Sequence, residues 1–387
     1  MRKNELLHKF AYPFLRAYYR FALRRYNFST TVAPAINEPY IVMSNHLTTF
    51  DTQLIWQAFP KHMYFVCGEH ILRGKNGNAI RHICDPITTP MGGSKLTATI
   101  EMLRRIKNGN NILLYPEGSR SYDGFTHPVS VSTAKLVKRA KCALVTYHLR
   151  GGYMADPRWA FKSRSGKMEG KVVNVYSSEE IAKMSPEEIA DHINTDIYEN
   201  AYDVQELNPV PYHSDSPAEG LEHYLIICPK CHGYDPLVTK GDQFTCRHCG
   251  LTGTYDEYGF LRSPDLPFNR IDKWDEWLIP YFNADMSSRS DDEVLFTEQD
   301  IKLDTVIQTY RTVPLTSGTL TVYKNRMILG DMEMLFSDIS GMSLLFIGKT
   351  LLFTYKGTYY SMEGPAFYAR KVEMLYRLYR QNNKKKN

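Results

Sequence analysis

No stretch of this 387-residue chain approaches the roughly 18 apolar residues that a membrane-spanning helix needs, and its apolar runs, 344–347 and 351–353 among them, are of strand length. A transmembrane protein is therefore not expected. The first residues hold charge and aromatics but no uninterrupted apolar stretch, so no secretory signal peptide is expected either. Cysteine is scarce, and four of the seven stand in two Cys-x-x-Cys pairs. That arrangement points to a cytosolic metal site rather than a disulfide framework. The net charge is only +5, which gives no global attraction to nucleic acid. What is abundant is core material: 43% hydrophobic and 13% aromatic residues against 23% charged ones. This is the composition of a globular protein rather than a disordered or fibrous one, and the length suits two or three domains.

The basic charge gathers at the front. Residues 1–30 include Arg2, Lys3, Lys9, Arg16, Arg20, Arg24 and Arg25 against the single acid Glu5. Leu7, Phe10, Phe14, Tyr18 and Phe21 recur at three- and four-residue steps, one face of a helix, and Pro13 is expected to split it into two short helices. Such a basic, aromatic-rich amphipathic segment suits the plane of an anionic membrane surface. The same stripe would equally serve to pack an ordinary helix on its domain.

From 31 to 205 short β runs alternate with helical stretches, which predicts an α/β domain: a central mixed sheet flanked by helices. Residues 40–43 and 112–115 read as buried strands, 98–107 as a helix ended by Asn108-Gly109, and 179–201 as closing helices broken at Ser185-Pro186. Residues 206–222 are polar and proline-rich and read as a linker. A small cysteine module spans 223–262. After a second irregular stretch, 290–381 shows many short period-two runs with Gly or Asn turns and one closing helix, 367–379. The order and length of these elements resemble a pleckstrin-homology-like β domain.

Two constellations carry chemistry. The first β run leads into Ser44-Asn45-His46, and Asp51 follows five positions later. One turn of chain closes such a pair: Asp51 accepts a hydrogen bond from one imidazole N–H, and the other nitrogen is left to accept a proton from a hydroxyl. The second run leads into Pro116-Glu117-Gly118-Ser119-Arg120. Here glycine allows a tight turn close to a ligand and arginine offers a planar fork for phosphate, with Glu117 orienting Arg120 or holding a hydroxyl. In this order, and about 65 residues apart, the two blocks resemble the glycerolipid acyltransferase family, whose best-known members are the 1-acylglycerol-3-phosphate acyltransferases. The resemblance implies that His46 and Asp51 activate the acceptor hydroxyl. It also implies that Glu117, Gly118, Ser119 and Arg120 bind a lysophospholipid acceptor, with an acyl-CoA or acyl carrier protein thioester as donor. No protein nucleophile and no catalytic cofactor are then needed, and Cys67, Cys84 and Cys142 are structural thiols. The peptide N–H groups near Gly92-Gly93 or Gly118 are the candidate oxyanion donors.

Two departures concern the acceptor. Where the family often has an arginine between the blocks, this chain reads Pro90-Met91-Gly92-Gly93-Ser94-Lys95, leaving Lys95 or Arg81 as substitutes. The later stretch 143–147 lacks the family's proline and is followed by the unusual, basic Arg150-Gly151-Gly152-Tyr153 and Pro157-Arg158-Trp159. An acceptor other than lysophosphatidic acid stays open, as does a catalytically weak lipid-binding or scaffold protein. Lys135, Lys138, Arg139 and Lys141, and then Arg158, Lys162, Arg164 and Lys167, form basic clusters that face anionic substrates or simply solvent. So does the Lys384-Lys385-Lys386 tail.

Cys228, Cys231, Cys246 and Cys249 form two knuckles fourteen residues apart, the pattern of a zinc ribbon. With four protein ligands such a site is closed and structural. Asp235, Asp242, Asp256 and Glu257 in the module argue against a nucleic-acid surface. The expected location is cytoplasmic, peripheral on the inner face of the membrane.

Overall fold

Three sheets organise the described residues, which in this computed structural model are 3–73, 76–89, 96–308 and 311–384. The first sheet is mixed and seven-stranded: β1 (Phe28–Thr30), β2 (Tyr40–Ser44), β3 (Met63–Gly68), β4 (Ile87–Thr89), β5 (Asn111–Leu114), β6 (Ala143–Arg150) and β7 (Met168–Tyr176). Their order is β1-β7-β6-β2-β5-β3-β4. Strands β6, β2, β5, β3 and β4 run parallel, β7 is antiparallel to β6, and β1 is parallel to β7. Both faces of β2 and β5 are covered, which is why these strands are apolar runs rather than alternating ones. Successive side chains still feed opposite cores. Tyr40 and Val42 join Leu113 and Val145 on one side, while Ile41 and Met43 join Ile112 and Leu144 on the other.

The helices of this domain are α1 (Lys3–Ala22), α2 (Asp51–Ala58), the one-turn α3 (Gly77–Ala79), α4 (Leu96–Lys107), α5 (Val131–Ala140), the one-turn α6 (Gly152–Ala155), α7 (Ser178–Lys183), α8 (Pro186–Ile197) and α9 (Ala201–Leu207). Ser177 and Ser185 each open a helix with a capping box, closed by Glu180 and Glu188, so the break before Pro186 is a fresh N-terminus. The expected split of α1 at Pro13 does not occur; the helix runs through it. Contacts on both sides of the proline hold the helix against α2. The Tyr12 hydroxyl donates to the Phe59 carbonyl at 3.0 Å. Arg16 donates to the Trp56 and Gln57 carbonyls at 2.7 and 3.0 Å, satisfying the orphan acceptors at the end of α2. With His8 and Tyr12 turned inward, Leu7, Phe10, Phe14, Tyr18 and Phe21 are left facing out.

The cysteine module is a four-stranded antiparallel sheet of β8 (Leu237–Lys240), β9 (Gln243–Cys246), β10 (Thr252–Tyr255) and β11 (Leu261–Arg262). The stretch beyond it, expected to be irregular, contains α10 (Ile271–Ser288). Trp274, Leu278, Phe282 and Met286 bury one face of that helix at four-residue steps, a periodicity obscured by Pro280 in its middle.

The third sheet joins β12 (Phe296–Gln308), β13 (Arg311–Val322), β14 (Arg326–Leu329), β15 (Met332–Leu335), β16 (Ile339–Leu345), β17 (Thr350–Tyr355) and β18 (Thr358–Glu363), followed by α11 (Ala369–Lys384). Every pairing is antiparallel, and β12 links the two meanders by pairing with both β13 and β18.

One hydrophobic core runs through all three sheets, from Tyr40 and Val145 through Tyr224 and Trp274 to Phe353 and Leu375. Charges are buried along it in compensated sets: Arg370 with Asp275, and Lys371 with Asp235 and Glu298. Residues 206–222, expected to be a linker, lie packed against the first domain. His213 exchanges backbone bonds with Ser165 at 2.8 and 2.9 Å, and the Tyr212 hydroxyl donates to the Lys167 carbonyl at 2.7 Å. Arg164 is wholly buried and donates to the Pro217 carbonyl at 2.8 Å, with its guanidinium over the rings of Trp159 and Tyr255. It is therefore part of the core and not of a basic surface.

Candidate active site

His46 lies just beyond the end of β2, and Asp51 is the first residue of α2. The five-residue turn between them is wound around the Asp51 carboxylate. That group accepts from the peptide N–H of Leu47 at 2.7 Å, the N–H of Thr48 at 3.0 Å and the Thr48 hydroxyl at 2.5 Å. Asp51 Oδ2 also lies 2.8 Å from His46 Nδ1. Since a carboxylate only accepts, Nδ1 carries the proton and donates it to Asp51. The tautomer is thereby set, and among the described residues Nε2 has no protein partner. The ring lies flat on Tyr115, with centroids 4.0 Å apart and planes 13° apart. The imidazole side chain is 23% exposed. Burial lowers its pKa from the ordinary 6.5, and the positive charges of Arg120 and Arg158 push the same way against Asp51. The ring is thus held neutral at neutral pH, the form that can take a proton.

The second block forms the loop after β5. Gly118 stands at φ +76, a conformation that glycine adopts without strain. Its N–H is spent on the Tyr115 carbonyl at 3.1 Å, so Gly118 does not serve as an oxyanion donor. Gly92-Gly93 and Lys95 lie outside the described residues. Glu117 neither orients Arg120 nor points to a hydroxyl. Its two oxygens accept from the peptide N–H groups of His46 at 2.8 Å and His127 at 3.1 Å, clamping this loop to the end of β2. Ser121 N–H reinforces the clamp by donating to the His46 carbonyl at 3.1 Å. Arg120 is tied instead to Asp156, by a 3.1 Å ion pair and a 2.5 Å bond to its carbonyl, and reaches the Leu47 carbonyl at 3.3 Å. Ser119 is exposed and accepts from Arg158 Nη1 at 3.1 Å. The two blocks are therefore brought together, but through residues not all of which stand in either motif. Asp156, Tyr115 and Arg158 complete the site. The odd basic stretch 157–159 was the sequence signal for Arg158, and Tyr115 ends the β run that leads into the second block.

Arg81 is placed on the turn Ile80–Cys84, where it donates to Asn78 at 3.3 Å. Cys67, Cys84 and Cys142 are at least partly buried, and burial pushes their thiols up to about 12, 11 and 12, which removes the thiolate that a nucleophile needs.

Burial raises the Glu117 carboxyl from 4.5 to about 7, against the two backbone bonds that favour its charged form. Its folded value lies above the unfolded one, so the native chain holds the proton more tightly between those values. Stability therefore falls as pH rises through that window, by about 3 kcal/mol in all. Urea unfolding of wild type and Glu117→Gln at pH 5 and pH 8 reads this out. The variant is expected to lose that component of the difference, and an identical pH dependence in both proteins counts against the assignment.

In the cysteine module the four sulfur atoms lie within 4.8 Å of one another, with Cys228–Cys249 and Cys231–Cys246 both at 3.7 Å. Zinc–sulfur bonds of about 2.3 Å in a tetrahedron place sulfurs about 3.8 Å apart. Four cysteines at this separation can hold one tetrahedral metal ion, and no fifth donor is needed.

Residues 23–150 match the family model for acyltransferases. This segment is similar to the acyltransferase family. The match takes in both motif blocks and the first six strands. Among solved structures, the chain is similar to the crystal structure of the 1-acyl-sn-glycerophosphate acyltransferase PlsC from Thermotoga maritima, at 19% identity and a TM-score of 0.44. That likeness covers 54% of this chain and 84% of the other. No curated protein matches the chain.

Proposed function

We propose that this acyltransferase domain moves a fatty acyl group from a thioester, acyl-CoA or acyl carrier protein, to the hydroxyl of a lysophospholipid, with 1-acylglycerol-3-phosphate as the favoured acceptor. The observation that carries the reading is the His46 ring, with Nδ1 fixed on Asp51, Nε2 unengaged and two guanidinium groups close enough to bias its charge. In the reaction, Nε2 takes the proton of the acceptor hydroxyl as its oxygen attacks the thioester carbonyl. The tetrahedral intermediate collapses with loss of the thiolate, and the imidazolium returns the proton to that sulfur. Asp51 stabilises the imidazolium while it exists. Arg120 binds the acceptor's phosphate. Transfer of labelled acyl groups from each donor to lysophosphatidic acid tests this. Lysophosphatidic acid is expected to be acylated, and absence of transfer to any lysolipid from either donor overturns the reading.

The outward face of α1 is proposed to meet an anionic membrane surface. Phe10, Phe14, Tyr18 and Phe21 are 62–71% exposed on it, with Arg20 and Arg24 beside them. No described helix is long and apolar enough to cross a membrane. Burying each aromatic ring in lipid contributes roughly 1.5–3 kcal/mol. Phe10→Glu with Phe14→Glu is therefore expected to weaken sedimentation with phosphatidylglycerol vesicles by roughly a hundredfold or more, while unchanged sedimentation overturns the assignment. The matching location is the cytoplasmic face of a membrane, in phospholipid synthesis. The cysteine cluster is proposed to hold structural zinc. The seven-stranded antiparallel sheet closed by α11 supports a pleckstrin-homology-like assignment for the C-terminal domain.

A further inference from the structure

Arg158 carries a charge that the protein leaves unneutralised. Its Nη1 donates to Ser119 Oγ at 3.1 Å and to the Arg120 carbonyl at 2.8 Å, and its Nη2 to the Leu344 carbonyl at 2.8 Å. All three acceptors are neutral. The Tyr122 ring lies 4.1 Å from the guanidinium and adds only its face. Among the described residues no carboxylate comes within 4 Å of it. Asp156 is engaged by Arg120, and Glu373 by Arg377. Glu117 is committed to the peptide groups of His46 and His127. The loop after β5 and the segment after α6 therefore present two guanidinium groups against the single carboxylate of Asp156.

An uncompensated, largely desolvated charge is unfavourable unless something of opposite sign arrives. Burial and the neighbouring Arg120 both press the Arg158 pKa below its usual value, which is the same tension expressed as a proton affinity. The surplus is placed beside the reacting group: Arg158 holds Ser119 and Arg120, and the next residue, Ser121, donates to the His46 carbonyl. Both guanidinium groups are felt by the imidazole. The third acceptor comes from elsewhere in the chain. Leu344 belongs to β16 of the C-terminal sheet, so that domain reaches back to fix the arginine's fork.

We propose that Arg158 and Arg120 together form a two-guanidinium subsite for the phosphate monoester of a substrate, and that the C-terminal β domain positions Arg158 in it through the Leu344 carbonyl. This rests on the acyl-transfer reading and deepens it. A phosphate has oxygens enough to accept from both forks at once, and its two negative charges at neutral pH exceed the surplus.

Two measurements on the full chain separate this proposal from that reading. Inorganic phosphate, titrated and followed by 31P NMR, needs no turnover. Wild type is expected to bind it saturably, Arg158→Gln to bind it roughly tenfold more weakly or worse, and Arg158→Lys to recover part of the loss. Equal binding by wild type and Arg158→Gln overturns the subsite even if acyl transfer is demonstrated. Conversely, phosphate binding that depends on Arg158 stands even if no acyl transfer is found. In steady state, Arg158→Gln is expected to raise KM for lysophosphatidic acid about tenfold while leaving KM for the thioester and kcat nearly unchanged. A rise confined to acyl-CoA places the phosphate on the donor and still supports the subsite. An equal loss with an uncharged monoacylglycerol acceptor and a dephosphorylated thioester donor shows a merely structural role and overturns it.

Discussion

His46→Ala is expected to lower kcat by roughly 10^3- to 10^4-fold with little change in KM for either substrate. The size follows from what the ring does and what surrounds it. Only Nε2 is unengaged, and no other described side chain stands ready to take the hydroxyl proton. Asp51 is wrapped by Leu47 and Thr48, and Glu117 by two peptide groups. The substitution keeps the His46 peptide N–H and carbonyl, so the clamp onto Glu117 and Ser121 survives and the loss is chemical rather than structural. Asp51→Asn is expected to fall in the same range. An amide can donate to Nδ1 and favour the wrong tautomer, and it leaves the imidazolium without its counter-charge. Because the two residues act as one unit, the double variant should be little worse than either single one. The pH profile adds an independent readout. Burial and the two arginines lower the His46 pKa, so the acid limb of kcat/KM is expected below 6.5. Full activity in His46→Ala, or an acid limb above 6.5, would falsify the assignment.

What was legible in the sequence is what depends on neighbours in the chain. His46 and Asp51 are joined by a single turn, and the Cys-x-x-Cys knuckles by a β hairpin; spacing alone indicated the cysteines, and the Pro116–Arg120 block singled out the histidine and its aspartate. The alternation of strands and helices in the first domain, and the break at Ser185-Pro186, are likewise local. What stayed hidden depends on partners far away. Pro13 does not interrupt α1 because the bonds that hold that helix go to the end of α2, forty or more residues distant. Glu117 looked like a partner for the nearby Arg120, yet it bridges two peptide groups while Asp156 takes the arginine. Residues 206–222 have the composition of a linker, but Tyr212 and Pro217 are gripped by Lys167 and Arg164, and no local pattern shows a grip. Arg164 and Arg158 illustrate the same limit from the other side. Both belong to one basic cluster in the sequence; burial puts the first among aromatic rings and the second beside the reacting histidine.

Removing the metal from the cysteine cluster should dismantle far more than a peripheral module. The ribbon is built into the joint between the other two domains. Ile227, next to Cys228, accepts from the Trp274 indole of α10 at 3.0 Å, and Asp235, a few residues beyond Cys231, is paired with Lys371 of α11. Structural zinc bound by such knuckles contributes on the order of 10–16 kcal/mol, comparable to the whole stability of a domain. Strong chelation, or Cys246→Ser, is therefore expected to release α10 and α11 and to lower the melting temperature by well over ten degrees. The first seven-stranded sheet, one face of which has a separate core around Ile41, Ile112 and Leu144, should unfold in a separate, later step. His46 and Asp51 are held entirely within that sheet and its loops, so slow basal transfer should persist when the C-terminal domain has come loose. The Leu344 carbonyl would then no longer hold Arg158, and KM for the phosphorylated substrate should rise as it does in Arg158→Gln. Cobalt(II) reconstitution checks the ligand set, since four thiolates around it give an intense charge-transfer band and a tetrahedral ligand-field spectrum. Unchanged melting after demonstrated metal removal would show that the four sulfurs are held together by the fold and not by an ion.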